Sequence, residues 1–326
     1  MSSSRRPLTL HADALGNRLR LPLVVAPMFL VSSPRLVTAA CRSGVIGSIP
    51  SLNAREPGEL QTWLEAISTE LSRPNAQTWP VAPYALNVLT HPSNSRLPHD
   101  IDAIKQYEPP IVIASVGRPE PVIEVVHRYG GLVFSDVASL RHAHRAAQAG
   151  VDGLVLLCAG AGGQTGRLNP FAFVEAVRHF YSGTVAVAGG ITTGQQVRAL
   201  ELIGADLAYS GTPFIATPES LASADYKQAL ISSGIDDVWD TDAISGIPAN
   251  VLRQTLEGLG LSPENRWVRS SPAHYDWASI RWRPDLFSAG HGVDAVRAER
   301  PCAAIIEQIA REYASSTTAD APLALN

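Results

Sequence analysis

The chain has 326 residues, 45% of them hydrophobic and only 17% charged, so it can bury one large core or two medium ones, and disorder is excluded as its main state. Lys plus Arg number 26 against 30 Asp plus Glu, a net charge of −4, with no basic run longer than Arg5-Arg6, which sets nucleic acid aside as a principal partner. Three widely spaced cysteines, Cys41, Cys158 and Cys302, fit neither a disulfide framework nor a metal cluster; they read as small buried hydrophobes in a reducing compartment.

The amino terminus carries Arg5-Arg6 but continues as Leu8-Thr-Leu-His-Ala-Asp, which lacks the apolar run of a secretory signal. No window approaches the roughly 18 apolar residues of a membrane span. The expectation is a soluble, cytoplasmic protein without a membrane partner.

Short apolar runs then alternate with amphipathic stretches. The predicted strands are Leu21–Ala26, Val45–Ile49, Ala82–Val88, Ile111–Ser115, Gly131–Ser135, Asp152–Cys158, Thr184–Ala188 and Asp206–Ser210. They are β-branched and apolar without strict alternation, as parallel strands covered on both faces should be. Helix-length segments lie between them, among them Glu56–Leu71, Val137–Ala149 and Pro170–Tyr181. Ser43-Gly44, Gly130-Gly131, Ala149-Gly150, Ser182-Gly183 and Ile203-Gly204 stand where a left-handed helix cap would precede the next strand.

Eight strands recurring roughly every 26 residues predict an α/β fold, a (β/α)8 or TIM barrel, rather than an open doubly wound sheet. Such a barrel needs roughly 250 residues. The surplus is assigned to an inserted lid, 218–286, where the spacing breaks down and Trp239, Trp267, Trp277 and Trp282 gather. Residues 1–217 and 287–326 then form the barrel. A last helix is expected at Pro301–Tyr313, with Ile305, Ile306, Ile309 and Tyr313 at helical spacing, followed by a small, polar tail, Ala314–Asn326, that reads as mobile. That helix can pack on its own barrel or on a neighbour, so a homodimer stays open.

Barrels of this kind carry chemistry at the carboxyl ends of the strands and bind phosphate after the seventh and eighth. Those loops read Ala188-Gly189-Gly190-Ile191 and Tyr209-Ser210-Gly211-Thr212, where glycine lets backbone N–H groups approach an anion and Thr212 adds a hydroxyl. After the sixth strand runs Cys158-Ala-Gly160-Ala-Gly162-Gly163-Gln164-Thr165-Gly166, which matches neither the Walker loop nor the dinucleotide fingerprint. It admits close approach of a flat or phosphorylated ligand. Ala26-Pro27-Met28 ends the first strand with a soft apolar side chain, and Asn87 near the end of the third adds an amide that donates and accepts.

In this order and spacing, Ala26-Pro27-Met28, Asn87, Ala161-Gly162-Gly163-Gln164-Thr165-Gly166, Ala188-Gly189-Gly190-Ile191 and Ser210-Gly211-Thr212 resemble the nitronate monooxygenase family, formerly the 2-nitropropane dioxygenases. The resemblance covers nearly the whole chain. It implies a (β/α)8 barrel that binds FMN non-covalently, with Ala26, Pro27, Met28 and Asn87 at the ring, Gly162 and Gly163 approaching from another side, Gly189, Gly190, Gly211 and Thr212 taking the phosphate, and Ala188, Tyr209 and Ser210 among the cofactor-binding residues. Ser245–Asn250 and Ser288–His291 also resemble family stretches. The family reaction takes electrons from the nitronate carbon and uses O2 to break the C–N bond, giving a carbonyl compound and nitrite.

The chain departs from the family where typical members end the glycine loop in Ala-Gly-Gly-His, that histidine being regarded as base or nitro-group partner. Gln164 stands there, which hydrogen-bonds but takes no proton from carbon. At the fifth strand end, Phe134-Ser135-Asp136, relatives often carry His or Lys, and Ser135 is small and neutral. An already anionic nitronate needs no base, so Gln164 is assigned to hold its oxygens. His91 and His291 are the histidines expected to reach the mouth, the first as a catalytic candidate and the second toward substrate. No metal is expected. The alternatives are an FMN-dependent NAD(P)H enoyl or quinone reductase of the same barrel family, and a non-catalytic ligand-binding barrel.

Overall fold

The computed structural model describes residues 15, 18–74, 76–262 and 286–317. Eight parallel strands close into a barrel: β1 (Leu23–Val25), β2 (Ile46–Pro50), β3 (Tyr84–Leu89), β4 (Ile111–Ser115), β5 (Leu132–Val137), β6 (Gly153–Leu157), β8 (Thr184–Ala188) and β9 (Leu207–Ser210), with β9 returning to β1. A two-residue strand, β7 (Gly163–Gln164), follows β6 but belongs to a second sheet with β10 (Val238–Thr241) and β11 (Ala249–Leu252), both antiparallel pairings.

Strand parity divides the core. Val24, Ile46, Ala85, Ile111, Ile113, Phe134, Val155, Ala186 and Leu207 fill the barrel interior, while Val25, Val88, Val112, Ala114, Val133, Val137, Leu154 and Val185 face the helices. Of these nine Phe134 has the largest side chain, and Gly153 on the neighbouring strand makes room for it, because a Cβ there would lie 2.5 Å from the ring. A third apolar cluster joins Tyr226, Leu230, Val238 and Leu252 to Val31, Ile215, Ala289 and Val293.

The outer helices are α1 (Pro34–Arg42), α2 (Glu59–Ser72), α3 (Leu97–Tyr107), α4 (Glu120–Arg128), α5 (Leu140–Ala149), α6 (Pro170–Arg178) and α7 (Gly194–Leu202). A single turn, α8 (Thr212–Ile215), follows β9; α9 (Ala224–Ile231) and α10 (Arg253–Gly258) come next, and α11 (Cys302–Thr317) ends the described chain. Several boundaries differ from the sequence-based ones for local reasons. The helix expected from Val137 starts at Leu140, because Val137 pairs in β5 and the Ser139 hydroxyl accepts from the His142 N–H. The helix expected from Glu56 starts at Glu59, whose carboxylate takes the N–H groups of Arg55 and Glu56 at 2.6 and 3.0 Å. The expected tail begins too early: Ala314–Thr317 continue α11, and residues 318–326 fall outside the described residues.

Gly44, Gly130, Gly150 and Gly204 take the left-handed conformation expected of them; Gly183 does not, and its lack of a side chain instead clears the Tyr181 hydroxyl, 2.4 Å from where its Cβ would lie. Among the described residues no helix is long and apolar enough to cross a membrane. Trp239 lies on β10, whereas Trp267, Trp277 and Trp282 lie outside the described residues. Cys41, Cys158 and Cys302 are buried and free, and burial pushes the Cys41 and Cys158 thiols up to about 12, which leaves them inert small hydrophobes.

Candidate active site

A cavity of about 450 Å³ opens at the carboxyl ends of the barrel strands. Ala26, Pro27, Met28, Asn87, Gly162, Gly163, Gln164, Ala188, Gly189, Gly190, Tyr209, Ser210, Gly211 and Thr212 all line it. Fourteen residues spread over 187 positions of sequence thus share one wall, because a closed parallel barrel brings every strand end to the same face.

At the β8 and β9 side, Gly189 and Gly190 have φ of 142° and 69°, conformations a side chain would strain. The Thr212 hydroxyl accepts the Gly290 N–H at 2.9 Å, so its own proton is available to an anion. The Ser210 hydroxyl is differently employed: it donates to the Ile191 carbonyl at 2.6 Å and ties the two loops together.

The β1 end is shaped by Asn53, a residue that no motif in the chain marks out. Its Nδ2 donates to the carbonyls of Met28 at 3.0 Å and Ser32 at 2.8 Å, and its Oδ1 accepts the Leu30 N–H at 2.8 Å. That clamp holds Leu30 at a φ of 58° and sets Met28 against the cavity.

The glycine run after β6 is fixed from outside the barrel. Gly163 pairs with Asn250 and Gln164 with Ala249, and Asn250 Nδ2 donates to the Ala161 carbonyl at 2.7 Å and to Thr165 Oγ1 at 3.3 Å. On its other side the run meets the return segment so closely that a Cβ on Gly162 would stand 2.7 Å from the Gly290 nitrogen. Gln164 is therefore presented to the cavity by a hydrogen-bonded strand rather than by a flexible corner.

Across the cavity floor runs a polar chain. Asn87 Nδ2 donates to the Ile113 carbonyl at 3.1 Å and to Ser115 Oγ at 2.5 Å. Ser115 Oγ in turn donates to Asp136 Oδ2. Burial pushes the Asp136 carboxyl up to about 7, against the opposing pull of the Ser115 hydroxyl. Asp136 Oδ1 and the Tyr209 hydroxyl are sealed from water and have no hydrogen-bond partner, although both residues line the cavity. Burial, and then the charge of Asp136, raise the Tyr209 phenol well above its ordinary value.

The fifth strand end corrects the sequence reading. Ser135 shares the outward parity of Val133 and Val137, pairs across from outward-facing Ala114, and is absent from the cavity; Asp136, two residues after Phe134, is the inward group. The parity of Phe134, a barrel-filling residue, was the signal that identifies it.

Two histidine assignments also change. His91 lies outside the cavity wall: its Nδ1 accepts the Ser93 N–H at 3.2 Å and sits 2.7 Å from Ser93 Oγ, within its own loop. His291 is exposed, its N–H donates to the Gly160 carbonyl at 3.0 Å, and its side chain covers the outer side of Gly160. It packs on the glycine loop and is absent from the cavity wall. Among the described residues no three His, Cys, Asp or Glu side chains group as metal ligands.

The nitronate monooxygenase family model matches residues 17–312. A nitronate monooxygenase of Paraburkholderia phytofirmans is 25% identical over 93% of this chain and 97% of its own length. A hydroxy-methyl-oxo-octahydroindene carboxyl-CoA dehydrogenase of Rhodococcus jostii is 25% identical over 72% of this chain and 63% of its own. The fold is shared with FabK from Thermotoga maritima (TM-score 0.76, 22% identity, 94% of this chain and 96% of that one) and with a nitroalkane oxidase from Streptomyces ansochromogenes (TM-score 0.77, 24% identity, 94% and 99%).

Proposed function

The chain belongs to the nitronate monooxygenase family and is an oxidoreductase, and from that premise we propose that it is an FMN-dependent enzyme that oxidises alkyl nitronates with O2 to a carbonyl compound and nitrite. The cavity fits the cofactor. A positive-φ glycine corner at Gly189-Gly190 and the free hydroxyl proton of Thr212 suit a phosphate, and the broad wall from Met28 to Asn87 and Gly162-Gly163 leaves room for a flat ring. When bound, FMN would supply the redox chemistry and the reaction with O2.

The protein's own part is placement. In this reading Gln164, held by its pairing with Ala249, donates its amide N–H to the nitronate oxygens and fixes the carbon above the floor. No proton has to be removed from a substrate that is already an anion, so a side chain without a titration near neutrality suffices. We assign residues 218–286 to a lid over the mouth; its strand β11 fastens the glycine loop, and Leu221, Ala222, Tyr226 and Leu286 give the substrate space an apolar wall. Three buried free thiols fit a reducing cytoplasm.

The observation that carries this reading is the convergence of the Thr212 and Gly189-Gly190 corner with Gln164 in one cavity. The test is an anaerobic absorbance titration of the FMN-loaded protein with propyl-2-nitronate, and separately with NADH or NADPH. Bleaching by the nitronate is expected. Bleaching by a nicotinamide alone would overturn it and point to an enoyl or quinone reductase, and a protein that takes up no FMN would point to a ligand-binding barrel.

A further inference from the structure

One stretch of the cavity wall is left unused by the cofactor and by Gln164. Leu30, Leu52, Arg55, Leu89 and Val116, at or just after the ends of β1 to β4, line the cavity away from the glycine corners. Strand order sets this stretch across the mouth from Gln164. The barrel runs β1-β2-β3-β4-β5-β6-β8-β9, so β2, whose following loop carries Leu52 and Arg55, is four strands from β6 in either direction. Eight strands about 4.8 Å apart and tilted by about 36° put opposite strand ends about 15 Å from each other. Between Arg55 on one rim and the glycine loop on the other lies the open cavity.

The stretch is held in shape from several sides. The loop is pinned before and after Arg55: Asn53 bonds the carbonyls of Met28 and Ser32, and Glu59 Oε2 takes the Arg55 N–H at 2.6 Å and the Glu56 N–H at 3.0 Å. Of the three described residues that carry a Cβ at a left-handed φ, two stand here, Leu30 at 58° and Val116 at 54°. A β-branched residue persists in that conformation only where its surroundings fix it. Gly117 supplies the fixing contact, since a Cβ on it would lie 2.4 Å from the Thr90 carbonyl carbon. The strained backbone thus presents two apolar side chains beside Leu52 and Leu89.

Arg55 is the only cationic side chain of the wall among the described residues. Arg20, Arg178 and Arg253 are each paired with a carboxylate, whereas the Arg55 guanidinium has no hydrogen-bond or ion-pair partner among the described residues. The chain as a whole is anionic, with a net charge of −4, so this cation is not part of a general basic surface.

We propose that Arg55 reads a second anionic group on the substrate, and that the preferred nitronates carry a terminal carboxylate joined to the reacting carbon by an apolar chain lying along Leu30, Leu52, Leu89 and Val116. The proposal rests on the nitronate reading, in which Gln164 holds the oxygens at the reacting end. A guanidinium is always ionised and matches a planar carboxylate with two parallel N–H donors. The four apolar side chains take the intervening methylene groups out of water. A one-carbon spacer leaves the carboxylate short of the far rim, and a nitronate without a carboxylate has nothing to offer Arg55. Arg55 touches no reacting atom, so it sets specificity through KM and leaves kcat alone.

The experiment compares initial rates of the FMN-loaded enzyme on the nitronates of 6-nitrohexanoate, 3-nitropropionate and 1-nitrohexane. The expected KM for 6-nitrohexanoate is about tenfold or more below the other two, at similar kcat, and the preference shrinks as salt is added. Arg55 is exposed, so Arg55→Gln removes little packing. It should raise the KM for 6-nitrohexanoate to that of 1-nitrohexane and change the kinetics of 1-nitrohexane less than about twofold. Arg55→Lys keeps the charge without the fork and should recover part of the preference.

Equal KM values for 6-nitrohexanoate and 1-nitrohexane in the native enzyme would overturn the proposal. So would an equal loss on all three nitronates in Arg55→Gln, which would place Arg55 on the nitronate group itself, or a loss seen only with NADPH relative to NADH, which would place it on a nucleotide phosphate. If no nitronate is turned over, the nitronate reading falls, and calorimetric titration with hexanoate and hexanol decides the anion site alone. Hexanoate binding that exceeds hexanol binding and disappears in Arg55→Gln sustains the inference; hexanoate that binds no better than hexanol, or equally well to the variant, overturns it.

Discussion

Asn250 of strand β11 donates from Nδ2 to the Ala161 carbonyl at 2.7 Å, across 89 positions of sequence, and thereby fixes the glycine loop that presents Gln164. Strand β11 is thus a structural partner of the glycine loop at the barrel's carboxyl end. Asn250→Ala leaves the buried Ala161 carbonyl without its donor and should cost about 1–3 kcal/mol of stability. Hydrogen exchange should show lost protection confined to 161–165 and to β11, and a globally uniform loss would contradict a local clamp.

Gln164→His restores a titrating group at a backbone position that the Ala249 pairing already holds. The expected outcome is a rise in kcat/KM for neutral nitroalkanes relative to nitronates, appearing as pH exceeds the imidazole range near 6.5. An unchanged ratio would show that proton removal is not controlled from this position.

Thr212→Val keeps the shape of the residue but removes the hydroxyl that accepts the Gly290 N–H and keeps its own proton free for an anion. Loss of one charge-assisted bond predicts FMN affinity about tenfold weaker or more, with riboflavin affinity nearly unchanged. Calorimetric titration of the two ligands separates these effects, and equal losses for both would place the phosphate elsewhere.

Asp136 also predicts a pH dependence of stability. Its carboxyl rises from 3.8 to about 7 on folding, so between those values the folded protein binds more protons than the unfolded chain and stability falls as pH rises. At about 1.4 kcal/mol per unit, the loss reaches about 4.5 kcal/mol above pH 7 if the group stays fully desolvated. Asp136→Asn should therefore be more stable than the native protein in urea at pH 8, with the advantage shrinking at pH 5. A constant difference across that window would mean that the carboxyl titrates normally.

Glu108 ends α3 with a φ of 45° and its N–H on the Ile104 carbonyl, on an exposed surface away from the cavity wall. A left-handed residue with a Cβ costs about 1–2 kcal/mol. Glu108→Gly should raise stability by about 1 kcal/mol, seen as a higher Tm with unchanged nitronate kinetics.

The barrel was legible in the chain because strand and helix alternation is a local property: runs such as Ile111–Ser115 and Thr184–Ala188 declare themselves by their own residues, and Gly44, Gly130 and Gly150 mark the turns between them. The glycine loops at Gly162-Gly163, Gly189-Gly190 and Gly211 were legible for the same reason, since close approach to a ligand needs glycine whatever surrounds it. The histidines misled because a ring that follows a strand end is within reach of the mouth only if its loop turns inward, and His91 is held by Ser93 instead. Which face of β5 meets the axis is settled when the sheet closes and Phe134 takes the interior, and closure alone makes Asp136, not Ser135, the group on the floor. Likewise, nothing in residues 158–166 announces that Gly163 and Gln164 form a strand, since the partner that supplies its hydrogen bonds, Ala249-Asn250, arrives from more than 80 positions away. The sequence by itself determined the elements, their order and the loops that can approach a ligand, all of which follow from short-range sterics and periodicity. Only the tertiary structure decided which polar atoms are buried without partners, because that depends on packing between residues distant in the chain.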